Sequence, residues 1–347
     1  RVSLCLYINA GSRHEGEAEH GYAHFVEHMA FAGTRDFPGD SAIRTLQRYG
    51  LAFGSEVNAA TGRSYTRYEI RNLPAGDPEA LATALKVLRN FADGVRFEPD
   101  AVEHERGVIL SEASVRAGRI AYWWGRELEF LSPDLKEVSD NELAGVFPNT
   151  ALARSQLGEP RAIRRATLEG LRAFYQRWYR PERMVLAVAG DVDSRRLAAQ
   201  VTDAFSSLAP RDAAVPPEIA VPAPRGTERI RPTVFAETES TVEIVTLAAA
   251  VPRRTGDIDV RRREELAEAV AMEMLERRLA RSLKVAAEIE TLLCHEVPGW
   301  TIPVLRLRTS PRNWPVAAVT LETEVRRAVQ HGFGVEELAV AAEARRR

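Results

Sequence analysis

The chain has 347 residues, 45% hydrophobic and 28% charged, which suits about two domains, each with its own core. Its 47 basic and 49 acidic residues leave a net charge of −2, which excludes the basic footprint of a nucleic-acid or anionic-membrane binder. Two cysteines, Cys5 and Cys294, are too few for a disulfide framework, and no apolar run reads as a membrane span or secretory signal.

Residues 2–10 predict a buried strand with Cys5 as a small core residue. A polar loop follows over 11–19, where His14 and the neighbouring His20 read as solvated, as does His104 further on. Residues 21–31 predict a helix stopped near Gly33. Tyr22, Phe25, Val26 and Met29 fall at i, i+3, i+4 and i+7 and mark its core face. That places His24, Glu27 and His28 on the opposite side. Next come a short helix over 41–49 and a strand-rich stretch over 53–71. Helices are predicted over 81–94, 99–116, 122–130 and 168–179, then a strand over 183–189 and a helix over 194–208. Helices alternating with few, mostly separate strands predict an α+β layer architecture. The strand predicted at its start and the helix predicted at its close make the sequence read as a segment cut at both ends.

Six of the nineteen prolines lie between Pro210 and Pro232, a pattern of an extended linker. It divides the chain into domains over 1–209 and 233–347, joined by 210–232. Across this boundary a weak repeat appears. Residues 241–251 resemble the first strand, 261–283 form a long helix, and 314–347 echo 79–112, with Gly332-Phe333 matching Arg96-Phe97. In that register Ala341 stands where the first copy has Glu105, and the second copy reads as metal-free.

His24-Phe25-Val26-Glu27-His28 forms an H-x-x-E-H pattern. Residues at i and i+4 leave one side of a helix, so both imidazoles can reach one metal ion. Catalytic zinc takes three protein ligands and keeps a position for water, so a carboxylate is sought. Glu105 and Glu112 lie two turns apart on one helix face, flanked by Ala101, Val102, Val108 and Ile109. Buried carboxylates are costly unless compensated, and a cation or Arg106 would supply that compensation. From the residues alone, either glutamate can be the third ligand.

These strings carry a resemblance. H-F-V-E-H-M-A-F-A-G-T (24–34) preceded by A-G-S-R-H-E (10–15), V-N-A-A-T (57–61), E-R-x-x-x-x-x-E (105–112), and F-Y-x-x-W-Y-x-P (174–181) before M-V-L-A-V-A-G-D (184–191) are similar to the pitrilysin, insulysin and mitochondrial processing peptidase family. The match is specific over 1–208 and loose beyond. It implies two homologous α/β-roll domains, antiparallel-rich sheets with helices on one face, the second incomplete. It also implies one Zn²⁺ per chain, held by His24, His28 and Glu112, with Glu105 in support and Glu27 as general base. His28 to Glu112 is 84 residues (112 − 28), longer than the family pattern. Bare spacing favours Glu105, and the motif register favours Glu112, with insertions near 38–40 and 74–78 absorbing the excess.

The resemblance further implies a zinc-dependent endopeptidase acting on unstructured peptides. Residues 55–61 resemble an edge strand that pairs with extended substrate, with Asn58 and Ala59 at the contact; Asn58 equally fits a strand end. Tyr122, Trp123 and Trp124 suit a chamber wall or a core contact. A second half, in the same polypeptide or a partner subunit, would close around the peptide. The similarity to exported bacterial members points to periplasm over cytoplasm. The alternative is a non-catalytic substrate-binding subunit, against which intact His24, Glu27 and His28 argue. S-ribosylhomocysteine lyase shares an H-x-x-E-H helix, but neither cysteine here has the context for its chemistry.

Overall fold

The first strand, β1 (Val2–Ile8), alternates strictly: Val2, Leu4, Leu6 and Ile8 are buried, while Ser3, Cys5 and Tyr7 face the other side of the sheet. One covered face, not two, explains this period of two. Cys5 is therefore half-buried on the far face and not a core residue. The structure, a computed structural model, describes residues 1–117, 140–210, 216–224, 233–236, 243–253, 257–310 and 312–345. The helix expected over 122–130, with Tyr122, Trp123 and Trp124, lies outside them.

Two compact units separate among the described residues. One falls within Arg1–Pro133 and Arg154–Ala220, the other within Asp134–Ala153 and Val221–Arg347. The first unit continues from β1 to α1 (Tyr22–Ala32), α2 (Ser41–Gln47), the hairpin β2 (Val57–Thr61) and β3 (Thr66–Leu73), then α3 (Pro78–Asp93) and α4 (Pro99–Ala117). After α5 (Asp140–Val146) come α6 (Pro160–Arg165), α7 (Leu168–Trp178), β4 (Met184–Gly190) and α8 (Ser194–Phe205). Its sheet is antiparallel with order β2-β3-β1-β4, so β2 is an edge strand. The helices cover one face, where Phe25, Val26, Met29, Leu88, Phe91 and Phe174 pack on the inward side chains of β1. Burial of this kind stabilises by about 1.5–3 kcal/mol per large apolar side chain.

The second unit holds β5 (Thr233–Ala236), β6 (Glu243–Ala248), β7 (Val251–Pro252), α9 (Ile258–Ser282), β8 (Ala287–Cys294), β9 (Trp300–Thr309), α10 (Trp314–His331) and α11 (Val335–Ala344). Here the hairpin β8-β9 pairs with β6, as β2-β3 pairs with β1. In each unit a central strand leads through helix to hairpin and then to two further helices. The α5 segment belongs to this second unit: Arg306 makes a bidentate pair to buried Glu142 at 2.6 and 2.7 Å.

The loop over 11–19 departs from its polar reading. Ser12, Arg13, His14 and Glu15 are all buried. Arg13 and Arg183 both pair with Glu218 and donate to the carbonyls of Ile219 and Pro216. So residues 216–219 of the Pro-rich segment are fastened to the first unit. His14 is not solvated: it lies edge-on to Trp178 at 4.7 Å and accepts from the Gly11 N–H. Burial, with the nearby charges of Arg13 and Arg183, pushes it down to about 4 despite Glu218 at 3.8 Å.

Candidate metal centre and active site

Helix α1 starts at Gly21 in the left-handed region (φ 96°) and stops at Gly33 (φ 153°). Glu15 closes its first turn by accepting from the Gly21 and Ala23 N–H groups, both at 2.9 Å. Burial pushes this carboxyl up to about 8, against the two donors that favour its ionised form. Gly21 also abuts Gly158: a Cβ on either would collide with the other's backbone.

On the side of α1 opposite its apolar stripe, buried His24 and half-buried His28 turn their Nε2 atoms toward one point, 3.2 Å apart. Glu112 on α4 brings Oε2 to 3.5 Å from the first and 3.6 Å from the second. These three atoms form the one cluster among the described residues with metal-ligand geometry. Four-coordinate zinc with bonds of about 2.0–2.1 Å sets its ligand atoms about 3.3–3.4 Å apart. The triangle matches that span without rearrangement.

Glu105, two turns earlier on α4, reaches the other nitrogen of His28, with Oε2 2.9 Å from Nδ1. With Nδ1 donating to this carboxylate, Nε2 keeps its lone pair for the cluster. Burial alone would lower the His28 pKa. Hydrogen bonds to Glu105 and Glu112, with the charge of Glu27, outweigh it and raise it to about 9. Three carboxylates around two imidazoles form a site that demands positive charge. Arg106 does not provide it: its guanidinium holds Glu103 and the carbonyls of Ile163 and Ala166. Those bonds instead tie α4 to the C-terminal end of α6.

Glu27 is buried beside the cluster, and the Thr61 hydroxyl donates to its Oε2 at 2.5 Å. Beneath it Tyr68 and Tyr179 share a buried 2.8 Å hydroxyl contact; burial raises both phenols, which stay neutral. Glu27 and His28 open onto a cleft of about 500 Å³ whose apolar wall includes Phe31, Ile43, Phe53 and Val108. Val108 is 40% exposed, so this part of the α4 face lines the cleft and not the core. Asn58 and Ala59 of edge strand β2 form its rim, with Asn58 Oδ1 accepting from the Ala59 N–H at 2.9 Å. His104 lies exposed at the same cleft, and His20 stands apart, 3.7 Å from Glu159.

Sequence reasoning assigned no role to Thr61 or Glu15, although both fall inside the strings that carried the resemblance. Thr61 was legible only as a strand end. Period-two patterning from Val57 places its side chain on the α1 side, which was the available signal.

Comparison with known proteins bears on the family of the chain. Residues 1–117 match the family model of insulinase (peptidase family M16), and residues 165–344 match the peptidase M16 inactive domain. The probable zinc protease PqqL of Escherichia coli is 30% identical over 354 residues, 97% of this chain and 35% of that protein. The chain thus spans about a third of that relative's length. The crystal structure of this periplasmic protease superposes with a TM-score of 0.77 at 30% identity, covering 99% of this chain and 37% of that one. A structure of its first half gives 0.73 at 29% identity, covering 99% and 71%. A Helicobacter pylori protease shares the fold, with a TM-score of 0.79 at 17% identity over 99% of this chain and 79% of that one. The chain belongs to the M16 insulinase family of peptidases.

Proposed function

We propose that this chain carries the catalytic centre of a zinc-dependent endopeptidase that hydrolyses unstructured peptides. The observation that carries the reading is the convergence of His24, His28 and Glu112 at 3.2–3.6 Å, with Glu27 on the same helix. These three residues would hold one Zn²⁺. When bound, zinc supplies a Lewis acid that polarises the scissile carbonyl and lowers the pKa of a coordinated water to roughly 7.

Glu27 takes the water proton as general base and passes it to the leaving amine. Glu105 fixes the tautomer and ring orientation of His28. An extended peptide adds to the open edge of β2 at Asn58 and Ala59, where main-chain pairing gives affinity with little sequence selectivity. One apolar side chain of the peptide enters the cleft walled by Phe31, Phe53 and Val108. A second half, in the same polypeptide or a partner, closes over the bound peptide; the Escherichia coli relative, solved also as a first half, supports this. That relative is described as periplasmic, which favours the same compartment here.

The test is Glu27→Gln, with zinc content and cleavage of an unstructured fluorogenic peptide both measured, and chelator as control. Zinc content stays at the wild-type level and turnover falls about 10²–10⁴-fold. Full activity in this variant refutes the assignment. A wild-type protein that binds the peptide and leaves it intact points instead to a non-catalytic binding subunit.

A further inference from the structure

We propose that Thr61 is a positioning residue for the general base, and that it ties the alignment of Glu27 to the strand on which the peptide docks. The inference rests on the reading above and deepens it. Side chains on a strand alternate, and on β2 Val57 is buried and Ala59 packs against the core, so Thr61 follows on the same side, toward α1. There its hydroxyl donates to Glu27 Oε2 at 2.5 Å, the length of a charge-assisted O–H···O⁻ bond. The strand backbone is pinned opposite Thr66 of β3, so the hydroxyl is delivered from a fixed point. Valine has the same shape and fits a strand at least as well, so packing does not require this hydroxyl.

Two consequences follow from holding one carboxylate oxygen in place: the base keeps one rotamer, and its position relative to the reacting water is set in advance. Because Asn58 and Ala59 precede Thr61 by two or three residues on the same edge strand, a peptide added there stiffens the segment that carries the hydroxyl. Docking and base alignment then share one element. A misplaced base costs rate and leaves binding intact.

The experiment compares Thr61→Val and Thr61→Ser in the protein expressed from its complete gene. With Thr61→Val, kcat falls about 10- to 100-fold while KM stays within about twofold and zinc content is unchanged; Thr61→Ser restores most of the rate. A thermal cycle with Glu27→Gln gives a readout independent of turnover: the two losses in Tm fail to add, by about 3 °C. Wild-type kcat in Thr61→Val, a matched rise in KM, lost zinc, or failure of serine to rescue each overturns the proposal. If the wild-type zinc protein cuts no peptide, the functional reading fails by itself. The thermal cycle then judges Thr61 alone, and additive losses overturn it.

Discussion

The helices α1 and α9 occupy the same place in their respective units, between central strand and hairpin, yet they share almost nothing else. The first has 11 residues, eight of them buried, and carries both imidazoles and Glu27. The second has 25 residues, only Met274, Leu275 and Leu279 buried, and no histidine. One connectivity thus supports two helices of different length, polarity and purpose. Chemistry resides in a few side chains placed on the frame, not in the frame.

The partner helices sharpen this contrast. Ala341 of α11, which the sequence repeat aligns with Glu105 of α4, is fully buried. Introducing Ala341→Glu there buries a carboxylate without the imidazole that receives Glu105. We expect a loss of about 4 kcal/mol in the second unit, read as a fall in urea midpoint. An unchanged midpoint would mean that this helix face can host a carboxylate too, and the contrast between the units would weaken.

His14 tests the loop that leads into α1. Its folded pKa of about 4 lies below the unfolded value of 6.5, so its contribution is complete above pH 6.5 and is lost as pH falls toward 4. The full loss is about 3 kcal/mol. The groups facing it are Arg13, Arg183 and Glu218. His14→Gln keeps an acceptor for the Gly11 N–H and removes the titration. Its stability relative to wild type should therefore improve by that amount between pH 7 and pH 4, measured by denaturant unfolding at each pH. A parallel decline of both proteins sinks the explanation.

The smallest effect concerns Glu105. Glu105→Ala leaves the three proposed ligands in place and removes only the carboxylate behind His28. Zinc affinity should fall about 10–100-fold in chelator competition, with the fold intact. Equal affinity would demote Glu105 to a surface acid.

How much of this was legible beforehand depends on where each residue's partners lie. The α1 stripe of Tyr22, Phe25, Val26 and Met29 is local, and periodicity was enough to orient His24, Glu27 and His28. The α4 glutamates needed more. Spacing favoured Glu105 and motif register favoured Glu112, and only three-dimensional packing brings one to Nδ1 of His28 and the other to both Nε2 atoms. The 11–15 segment misled because its polar residues are satisfied from afar. Arg13 meets Glu218 and His14 meets Trp178, partners that no local window contains. Likewise the apolar letters of β1 did not reveal that the sheet face bearing Cys5 is only half-buried.

The contact between Gly21 and Gly158 bears on how this scaffold can change. Each glycine sits against the other's main chain with no room for a methyl group, and both have positive φ (96° and 81°). A usual remedy for an enlarged residue is to trim its neighbour, but trimming Ile163, whose Cδ1 also crowds Gly21, would still leave each glycine against the other's backbone. The helix carrying the imidazoles is thereby moored at its origin to a turn far along the chain. In laboratory evolution, positions 21 and 158 should stay glycine together while the walls of the cleft drift.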